Sequence, residues 1–233
     1  ILKFSSIMSK QAILIFARSN SKRLPGKVLK EIYLGKNLLE IIILRLKKFL
    51  RIKIIVCTSK SKADNKIVKI CKKNKIKYFR GELSNVFKRT KDCLKKYKLK
   101  SFIRINADRP FVDFDEIQKI IRIYKKKKFD IITNNLNRNC PKGLTCELAQ
   151  SKIFFDLDEK NLSKVEKEHI FDYFYENKQG YKIFSIKNNL YKKNRNKNFS
   201  IDNLSDLKRV RKIYKLLNNI YFPTKKILLF RDE

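Results

Sequence analysis

Short apolar runs alternate with longer amphipathic segments from residue 11 to residue 133, and this alternation restricts the fold more than any other feature of the chain. The apolar runs have the length of buried strands, about four to seven residues, and the segments between them have the length and apolar spacing of helices. Strands that alternate with helices build β-α-β units and a mainly parallel sheet. The pattern therefore predicts an α/β fold.

The predicted strands of this region lie at 11–17, 53–57, 77–79, 101–106 and 130–133. The predicted helices lie at 38–50, 63–74, 84–97 with Ser84 as the cap, and 115–127. Beyond residue 133 the pattern loosens, and the predicted elements are strands at 144–149, 181–186 and 199–201 and helices at 163–177 and 204–217. This order favours one sheet with a less regular second half.

We expect one domain over residues 8–219, in which 140–195 is a candidate lid or dimerisation subregion. Whether the chain forms a homodimer through that subregion is left open. Residues 1–7 are interpreted as an extraneous lead-in, because the only methionine is Met8. Residues 220–233 form a C-terminal tail whose apolar stretch could pack on the sheet or on a partner.

Several classes of protein do not fit the composition. No run of about 18 or more uncharged apolar residues is present, which argues against a transmembrane helix, and the first residues do not resemble a secretory signal. We therefore expect a cytoplasmic protein with no membrane partner. The five cysteines are scattered without a C-x-x-C pair, and the chain has a single histidine, so a zinc site is not predicted.

The net charge of +36 would ordinarily suggest a nucleic-acid partner. The basic residues are spread along every predicted helix, however, and isoleucine and asparagine are also abundant, a combination that indicates an AT-rich genome. We therefore predict no specific nucleic-acid partner. The charge should still attract phosphorylated substrates.

Polar clusters follow four of the predicted strands. They are the loop 18–27, the pair Thr58 and Ser59, the segment 80–82, and Asp108. In open α/β sheets, ligands bind beyond the carboxyl ends of the strands. The clusters together predict one crevice that suits phosphates and a metal ion.

The first cluster, FARSNSKRLPGK, resembles the A-R-x-x-S-x-R-L-P-G-K signature of nucleotidyltransferases that make CMP-activated sugar acids. This group includes acylneuraminate and 3-deoxy-manno-octulosonate cytidylyltransferases, and the spore coat polysaccharide biosynthesis protein F type is the most similar branch. Further matching segments follow in the same order: VCTSKSKADNKIVKIC, RGELSNVFKR, RINADRPFVD, GLTCE, EKEHIFDYFYEN and FSIDNLSDLKRV. The resemblance covers residues 11–210.

The resemblance implies a Rossmann-like three-layer sandwich of the nucleotide-diphospho-sugar transferase, or glycosyltransferase-A, type. It also implies Mg²⁺-dependent transfer of CMP from CTP to a sugar acid, with release of pyrophosphate, for cell-surface polysaccharide or glycan biosynthesis. One alternative is a related enzyme with a different base or a sugar 1-phosphate acceptor. Another is a basic binding protein that keeps the fold without catalysis.

By the resemblance, the nucleotide-binding residues are Ala17, Arg18, Ser19, Ser21, Arg23, Gly26, Lys27, Thr58, Ser59, Arg80 and Gly81. Attack on the α-phosphate requires cations fixed near the triphosphate and the leaving pyrophosphate, a need that Arg18 and Lys27 would meet as catalytic residues. Thr58 and Ser59 would lie near the cytosine. The alternative is that the cations of this loop are only solvated surface charges.

Asp108 and Asp202 are implied to hold the magnesium ion, since carboxylate oxygens suit Mg²⁺. Asp202 could instead cap the last helix, and Asp108 could be a turn former. The resemblance places sugar contacts at Gly143, Glu147, Glu168 and His169. His169 could equally be a half-buried structural histidine, and no clear general base emerges.

The chain departs from the family pattern at Ala107 and Arg109, which flank Asp108, and at Thr145, where an acidic residue is common. The first departure is mild. The second lies in the expected sugar pocket, so the identity of the acceptor stays open.

Overall fold

A computed structural model of the chain describes residues 10–136 and 139–230. The strands within these ranges are β1 (Gln11–Phe16), β2 (Glu31–Tyr33), β3 (Lys36–Asn37), β4 (Lys53–Ser59), β5 (Lys77–Gly81), β6 (Ser101–Asn106), β7 (Ile131–Thr133), β8 (Glu147–Gln150) and β9 (Ile183–Ser185). The α-helices are α1 (Leu38–Phe49), α2 (Asn65–Lys73), α3 (Val86–Lys96), α4 (Phe114–Lys126), α5 (Ser151–Asp156), α6 (Lys164–Glu168), α7 (Asp172–Glu176), α8 (Asn189–Lys193) and α9 (Leu204–Leu217). The interpreted lead-in at 1–7 lies outside the described residues.

Seven of these strands form one sheet in the order β5-β4-β1-β6-β8-β7-β9. Only β8 runs antiparallel to its neighbours within the described part of the sheet. The central strand β1 pairs in register with β4 on one side and β6 on the other, so the carboxyl ends of all three lie at one edge. The predicted α/β fold with a mainly parallel sheet is confirmed.

Both faces of the sheet are covered. In β1, Ile13 and Ile15 pack into the core shared with α1, α4 and α9, whereas Ala12 and Leu14 pack into the core shared with α3, α5 and α7. Because the strand is buried on both faces, its sequence is a continuous apolar run and does not alternate with polar residues. This sandwich fixes the edge where β1 and β6 end.

Strands β4 and β5 continue two residues beyond their predicted ends. Thr58 pairs with Arg80 and Ser59 pairs with Gly81, so these four residues lie in the sheet and do not lie in the loops where the sequence placed them. The parallel ladder continues to the edge because the backbone groups there are buried and must be paired.

The helix predicted from Ser84 begins later than expected. Asn85 is the N-cap of α3, because its side chain accepts a hydrogen bond from the backbone N–H of Lys88. The Ser84 hydroxyl donates to Glu82 instead. The assignment of Ser84 as the cap is therefore wrong by one position.

Two predictions in the second half are wrong. The single helix expected at 163–177 is two five-residue helices, α6 and α7, separated by a non-helical His169 and by Ile170 and Phe171, which are buried in the core. No strand forms at 199–201; the neighbouring Asn198 forms an isolated bridge with Lys142. The other predicted elements are confirmed, with small differences at their ends.

The C-terminal tail packs on the chain's own core as far as residue 230. Phe222, Ile227 and Leu228 are buried in the same core as α1, α4 and α9. The buried Arg45 donates hydrogen bonds to the carbonyl oxygens of Ile220 and Phe222, which ties the tail to α1. Of the two alternatives for the tail, packing on the sheet side is the one observed.

The 140–195 subregion supplies β8 and β9 to the main sheet. Its role as a lid or a dimerisation surface stays a prediction. None of the helices in the described ranges is both long and apolar enough to cross a membrane.

Candidate functional site

A cleft of about 410 Å³ opens beyond the carboxyl ends of β1 and β6. Its lining residues are Phe16, Ala17, Arg18, Asn20, Ser21, Lys22, Arg23, Lys27, Val28, Val86, Arg89, Arg104, Asn106, Ala107, Asp108, Glu168, His169 and Ile170. The cleft therefore lies at the sheet edge where the sequence predicted a crevice.

The loop 17–27 after β1 forms one wall of the cleft. The loop folds back on itself, because the carbonyl oxygen of Ser19 accepts hydrogen bonds from the N–H groups of Ser21 and Gly26. Gly26 has φ 65°, a left-handed conformation that glycine adopts without strain. The buried Asp64 anchors the loop, since it accepts from the N–H of Ser19 at 2.7 Å and from the N–H of Ser59 at 3.0 Å. The wall is thus held to the end of β4.

Positive charge predominates among the described residues of the cleft. Six cationic side chains line it, namely Arg18, Lys22, Arg23, Lys27, Arg89 and Arg104. Two carboxylates, Asp108 and Glu168, also line it. Such an excess of fixed cations favours a polyanionic ligand.

Lys27 joins the loop wall to two carboxylates from distant parts of the chain. Its Nζ lies 3.0 Å from Asp108 Oδ2 and 3.6 Å from Asp202 Oδ1, and it donates to the carbonyl oxygen of Ile201 at 2.8 Å. The segment after β6 and the segment before α9 meet here, because the N–H of Ile201 donates to the carbonyl oxygen of Asp108 at 2.9 Å. A single cationic atom therefore reaches both carboxylates.

Asp202 also accepts hydrogen bonds from Arg23 at 2.8 Å and from Lys142 at 2.5 Å. Burial alone would raise the pKa of Asp202, but Lys142, Lys27 and Arg23 outweigh it and lower the pKa below its usual value. Asp202 does not cap the last helix, because Asn203 does. The alternative that Asp202 is an N-cap is therefore wrong.

The Asp108 and Asp202 pair provides a donor set that fits a small hard cation. Both are carboxylates, and both lie close enough together to share one cation, Lys27 Nζ. No group of three or more histidine, cysteine or acidic residues suited to a metal occurs in the part of the chain that the structure describes. Two carboxylates suffice for a metal such as Mg²⁺, which keeps several waters and takes further oxygen ligands from substrate phosphates.

Two arginine–glutamate pairs complete the cleft. Arg18 Nη2 lies 2.5 Å from Glu168 Oε1, and the two side chains are 38% and 33% exposed. Arg104 pairs with Glu147, and here the two side chains are only 14% and 1% exposed. Arg18, Arg104 and Glu168 line the cleft, whereas Glu147 stands behind Arg104.

The structure brings part of the predicted nucleotide site to the cleft. Ala17, Arg18, Ser21, Arg23 and Lys27 line it. The other six predicted residues, Ser19, Gly26, Thr58, Ser59, Arg80 and Gly81, are not among its lining residues. They instead support the floor and the loop.

Two examples show how this support works. Arg80 donates hydrogen bonds to the carbonyl oxygens of Ser59 and Ser61, which fixes the chain after β4. Gly81 lies against Arg89, and a Cβ atom at that position would be 2.5 Å from Arg89 Cγ. Only glycine lets Arg89 occupy its place at the cleft.

Of the four predicted sugar-binding residues, Glu168 and His169 line the cleft. Gly143 and Glu147 do not. Gly143 has φ 92° and packs against the backbone between Phe199 and Ser200, where a Cβ atom would be 2.6 Å from the nearest atoms. This close packing accounts for a glycine at position 143, because a side chain would not fit there.

The sequence model of the cytidylyltransferase family matches residues 12–227 of the chain. The chain belongs to the cytidylyltransferase family. The resemblance stated from the sequence is confirmed, and with it the nucleotidyltransferase class of the protein.

Similar proteins agree with this family assignment. The chain is 32% identical over 221 residues to an uncharacterized protein of Methanocaldococcus jannaschii, covering 94% of this chain and 89% of that one. It is 28% identical over 170 residues to the spore coat polysaccharide biosynthesis protein SpsF of Bacillus subtilis, covering 70% of this chain and 69% of that one. A solved cytidylyltransferase from Leptospira borgpetersenii superposes with a TM-score of 0.87 at 26% identity, over 94% of this chain and 92% of that one. The predicted nucleotide-diphospho-sugar transferase fold is thereby confirmed.

The sequence analysis assigned no individual role to several residues that the fold places in or under the cleft: Asn20, Lys22, Asp64, Arg89, Arg104 and Asn106. Arg104 carried a usable signal, because it is a charged residue within the otherwise apolar strand SFIRIN. Charged residues are rarely buried unless they are paired or functional. Asp64 carried no comparable signal, since it lies in a polar segment.

Proposed function

We propose that the protein transfers CMP from CTP to a sugar acid and releases pyrophosphate, and that the product serves polysaccharide or glycan biosynthesis. One observation carries the proposal: Lys27 Nζ lies between the carboxylates of Asp108 and Asp202 in a cleft lined by six cations. Membership of the cytidylyltransferase family supports CTP as the donor.

The cations of the cleft would bind the triphosphate. A hydroxyl that attacks the α-phosphorus displaces pyrophosphate, so negative charge develops on the bridging and leaving oxygens. Arg18, Arg23 and Lys27 come from one loop whose backbone is anchored by Asp64, so all three would reach the phosphates from a fixed backbone. Cations placed beside the phosphates would stabilise this developing charge.

Asp108 and Asp202 would hold Mg²⁺ near the α-phosphate. The metal would neutralise phosphate charge and favour loss of pyrophosphate. The donor set fits it, because both carboxylates already share a cation. Lys27 would then turn from the carboxylates towards the phosphates.

The acceptor would occupy the part of the cleft bordered by Asn106, Glu168 and His169. The printed name of the Bacillus subtilis relative refers to polysaccharide biosynthesis, which supports a sugar as the acceptor class. A sugar acid is the acceptor that we propose, since the cationic lining suits an anionic sugar.

The test is pyrophosphate release from CTP, UTP, GTP and ATP, each with Mg²⁺ and a panel of sugar acids and sugar 1-phosphates. Release with CTP and a sugar acid is the expected result. Release that requires another nucleotide or a sugar 1-phosphate would favour a related enzyme with different substrates. Salt-sensitive binding to nucleic acid without any release would favour the non-catalytic alternative.

A further inference from the structure

Arg104 occupies an unusual place for an arginine. It lies in the middle of β6 between β1 and β8, and its side chain lines the cleft although it is only 14% exposed. The guanidinium carbon lies 4.7 Å from the centre of the Phe171 ring. A cation stacked on an aromatic ring and fixed in a strand has little freedom to move.

The hydrogen bonds of Arg104 occupy one side of its guanidinium. Nε donates to Glu147 Oε2 at 2.7 Å, and Nη2 contacts the same oxygen. Nη1 makes no hydrogen bond with any residue that the structure describes. Since the side chain lines the cleft, Nη1 is the group through which it can bind a ligand.

Glu147 is itself held from behind. Its second oxygen, Oε1, accepts a hydrogen bond from the Tyr175 hydroxyl at 2.7 Å. Burial and the charge of Glu147 raise the pKa of Tyr175 well above its usual value, so this hydroxyl remains a donor. Hydrogen bonds therefore connect Tyr175 in the core, through Glu147, to Arg104 at the cleft.

Several charged side chains surround Arg104. Arg109 interacts electrostatically with both Arg104 and Glu147, and its Nη1 donates to the carbonyl oxygen of Thr145 at 2.7 Å. Asp172 also interacts electrostatically with Arg104, and Asp108 with Arg109, so three carboxylates surround the two guanidinium groups. This corner of the cleft therefore has no excess positive charge to hold a triphosphate, and Arg104 offers a ligand one directed donor, Nη1, which suits a single carboxylate.

We propose that Nη1 of Arg104 binds the carboxylate of the sugar-acid acceptor, and that Glu147 and Tyr175 are positioning residues for that guanidinium. This inference rests on the proposed function. Arg104 would thereby select acids over neutral sugars, because a planar guanidinium recognises a carboxylate through directed, charge-assisted hydrogen bonds.

The test compares Arg104→Gln with Arg122→Gln, which removes the same charge from an exposed position on α4. Initial rates of pyrophosphate release give KM for the acid, with N-acetylneuraminate and 3-deoxy-manno-octulosonate as probes, and KM for CTP. Arg104→Gln should raise KM for the acid about ten- to hundredfold, the loss expected for a charge-assisted hydrogen bond, and change KM for CTP less than about twofold. Arg122→Gln should change neither.

Tyr175→Phe keeps the ion pair and provides a second variant if Arg104→Gln does not fold. It should raise KM for the acid about two- to fivefold and leave kcat nearly unchanged, whereas general loosening of the structure would lower kcat as well. The carboxamide of the same acid should be a poor acceptor for the wild type and should lose little more in Arg104→Gln.

Two results would overturn the inference while the proposed function stands: an unchanged KM for the acid in Arg104→Gln, or an increase confined to KM for CTP. Release of pyrophosphate from CTP only with acceptors that lack a carboxylate would overturn both the inference and the proposed sugar-acid acceptor. Absence of release from CTP with every acceptor would contradict the proposed function itself.

Discussion

The two arginine–glutamate pairs at the cleft differ in how much water reaches them. Arg18 and Glu168 join the loop wall to α6 and are each about one-third exposed, whereas Arg104 and Glu147 join β6 to β8 and are largely buried. An exposed pair costs little to open, but a buried pair cannot lose one partner without leaving a desolvated charge. The first pair can therefore yield to an arriving ligand, and the second is part of the rigid frame.

The largest effect is expected on activity, from removing Lys27, the cation between Asp108 and Asp202. Lys27→Met should lower kcat/KM for pyrophosphate release about a hundred- to thousandfold, because it removes a cation from the reaction site. Lys22→Met is the matched control, since Lys22 also lines the cleft but is exposed and contacts no carboxylate in the described residues. Equal losses in the two variants would mean that only the overall charge of the cleft matters.

The next largest effect is expected on the free energy of unfolding, from removing the buried carboxylate of Glu147. Glu147→Gln leaves the guanidinium of Arg104 without its counter-charge, so the free energy of unfolding should fall by about 3 kcal/mol. Urea denaturation followed by circular dichroism measures the change. A loss below about 1 kcal/mol would show that the pair is not part of the frame.

The anchor of the loop wall should be sensitive to pH. Burial would raise the pKa of Asp64, but hydrogen bonds from Ser59 and Ser19 lower it below its usual value. Asp64→Asn should therefore cost about 1–3 kcal/mol at neutral pH.

For a carboxyl whose folded-state pKa is lowered, the stabilisation is present above the unfolded pKa and is lost as pH falls through the folded one. The difference between wild type and Asp64→Asn should accordingly shrink as pH drops below the ordinary aspartate pKa of about 3.9. Unfolding free energies measured from neutral pH into the acid range check this. If the difference in unfolding free energy stays constant with pH, the destabilisation by Asp64→Asn comes from the changed shape of the side chain and not from its lost charge.

The smallest effect is expected at the exposed pair. Glu168→Gln makes the same chemical change as Glu147→Gln, but solvent screens its ion pair with Arg18, so the free energy of unfolding should change by less than about 1 kcal/mol. The same urea titration applies. If Glu168→Gln and Glu147→Gln lower the free energy of unfolding equally, the two arginine–glutamate pairs do not differ in rigidity.

The first half of the fold could be predicted from the sequence because its strands are buried on both faces. The run SFIRIN, for example, matches β6 from Ser101 to Asn106. The five-residue helices α6 and α7 could not be predicted in the same way, since the break at His169 serves the burial of Ile170 and Phe171. Periodicity carries no information about a break that tertiary packing imposes.

The site could be predicted only in part for a related reason. The loop with Arg18 and Lys27 was found through its motif, and the structure places both residues at the cleft. The partners of these cations are far away in sequence, since Lys27 and Asp108 are 81 residues apart and Arg104 and Glu147 are 43 apart. Which cation meets which carboxylate depends on strand order, and strand order is a property of the whole sheet.

The dependence of pyrophosphate release on Mg²⁺ tests the central claim most directly. The initial rate with CTP and a sugar acid would be measured against Mg²⁺ concentration for wild type, Asp108→Asn and the surface control Asp92→Asn. We predict saturable Mg²⁺ dependence in wild type and Asp92→Asn, no release in chelator, and a rate at least about a hundredfold lower in Asp108→Asn. Release that persists in chelator, or that survives Asp108→Asn unchanged, would contradict a metal site between Asp108 and Asp202.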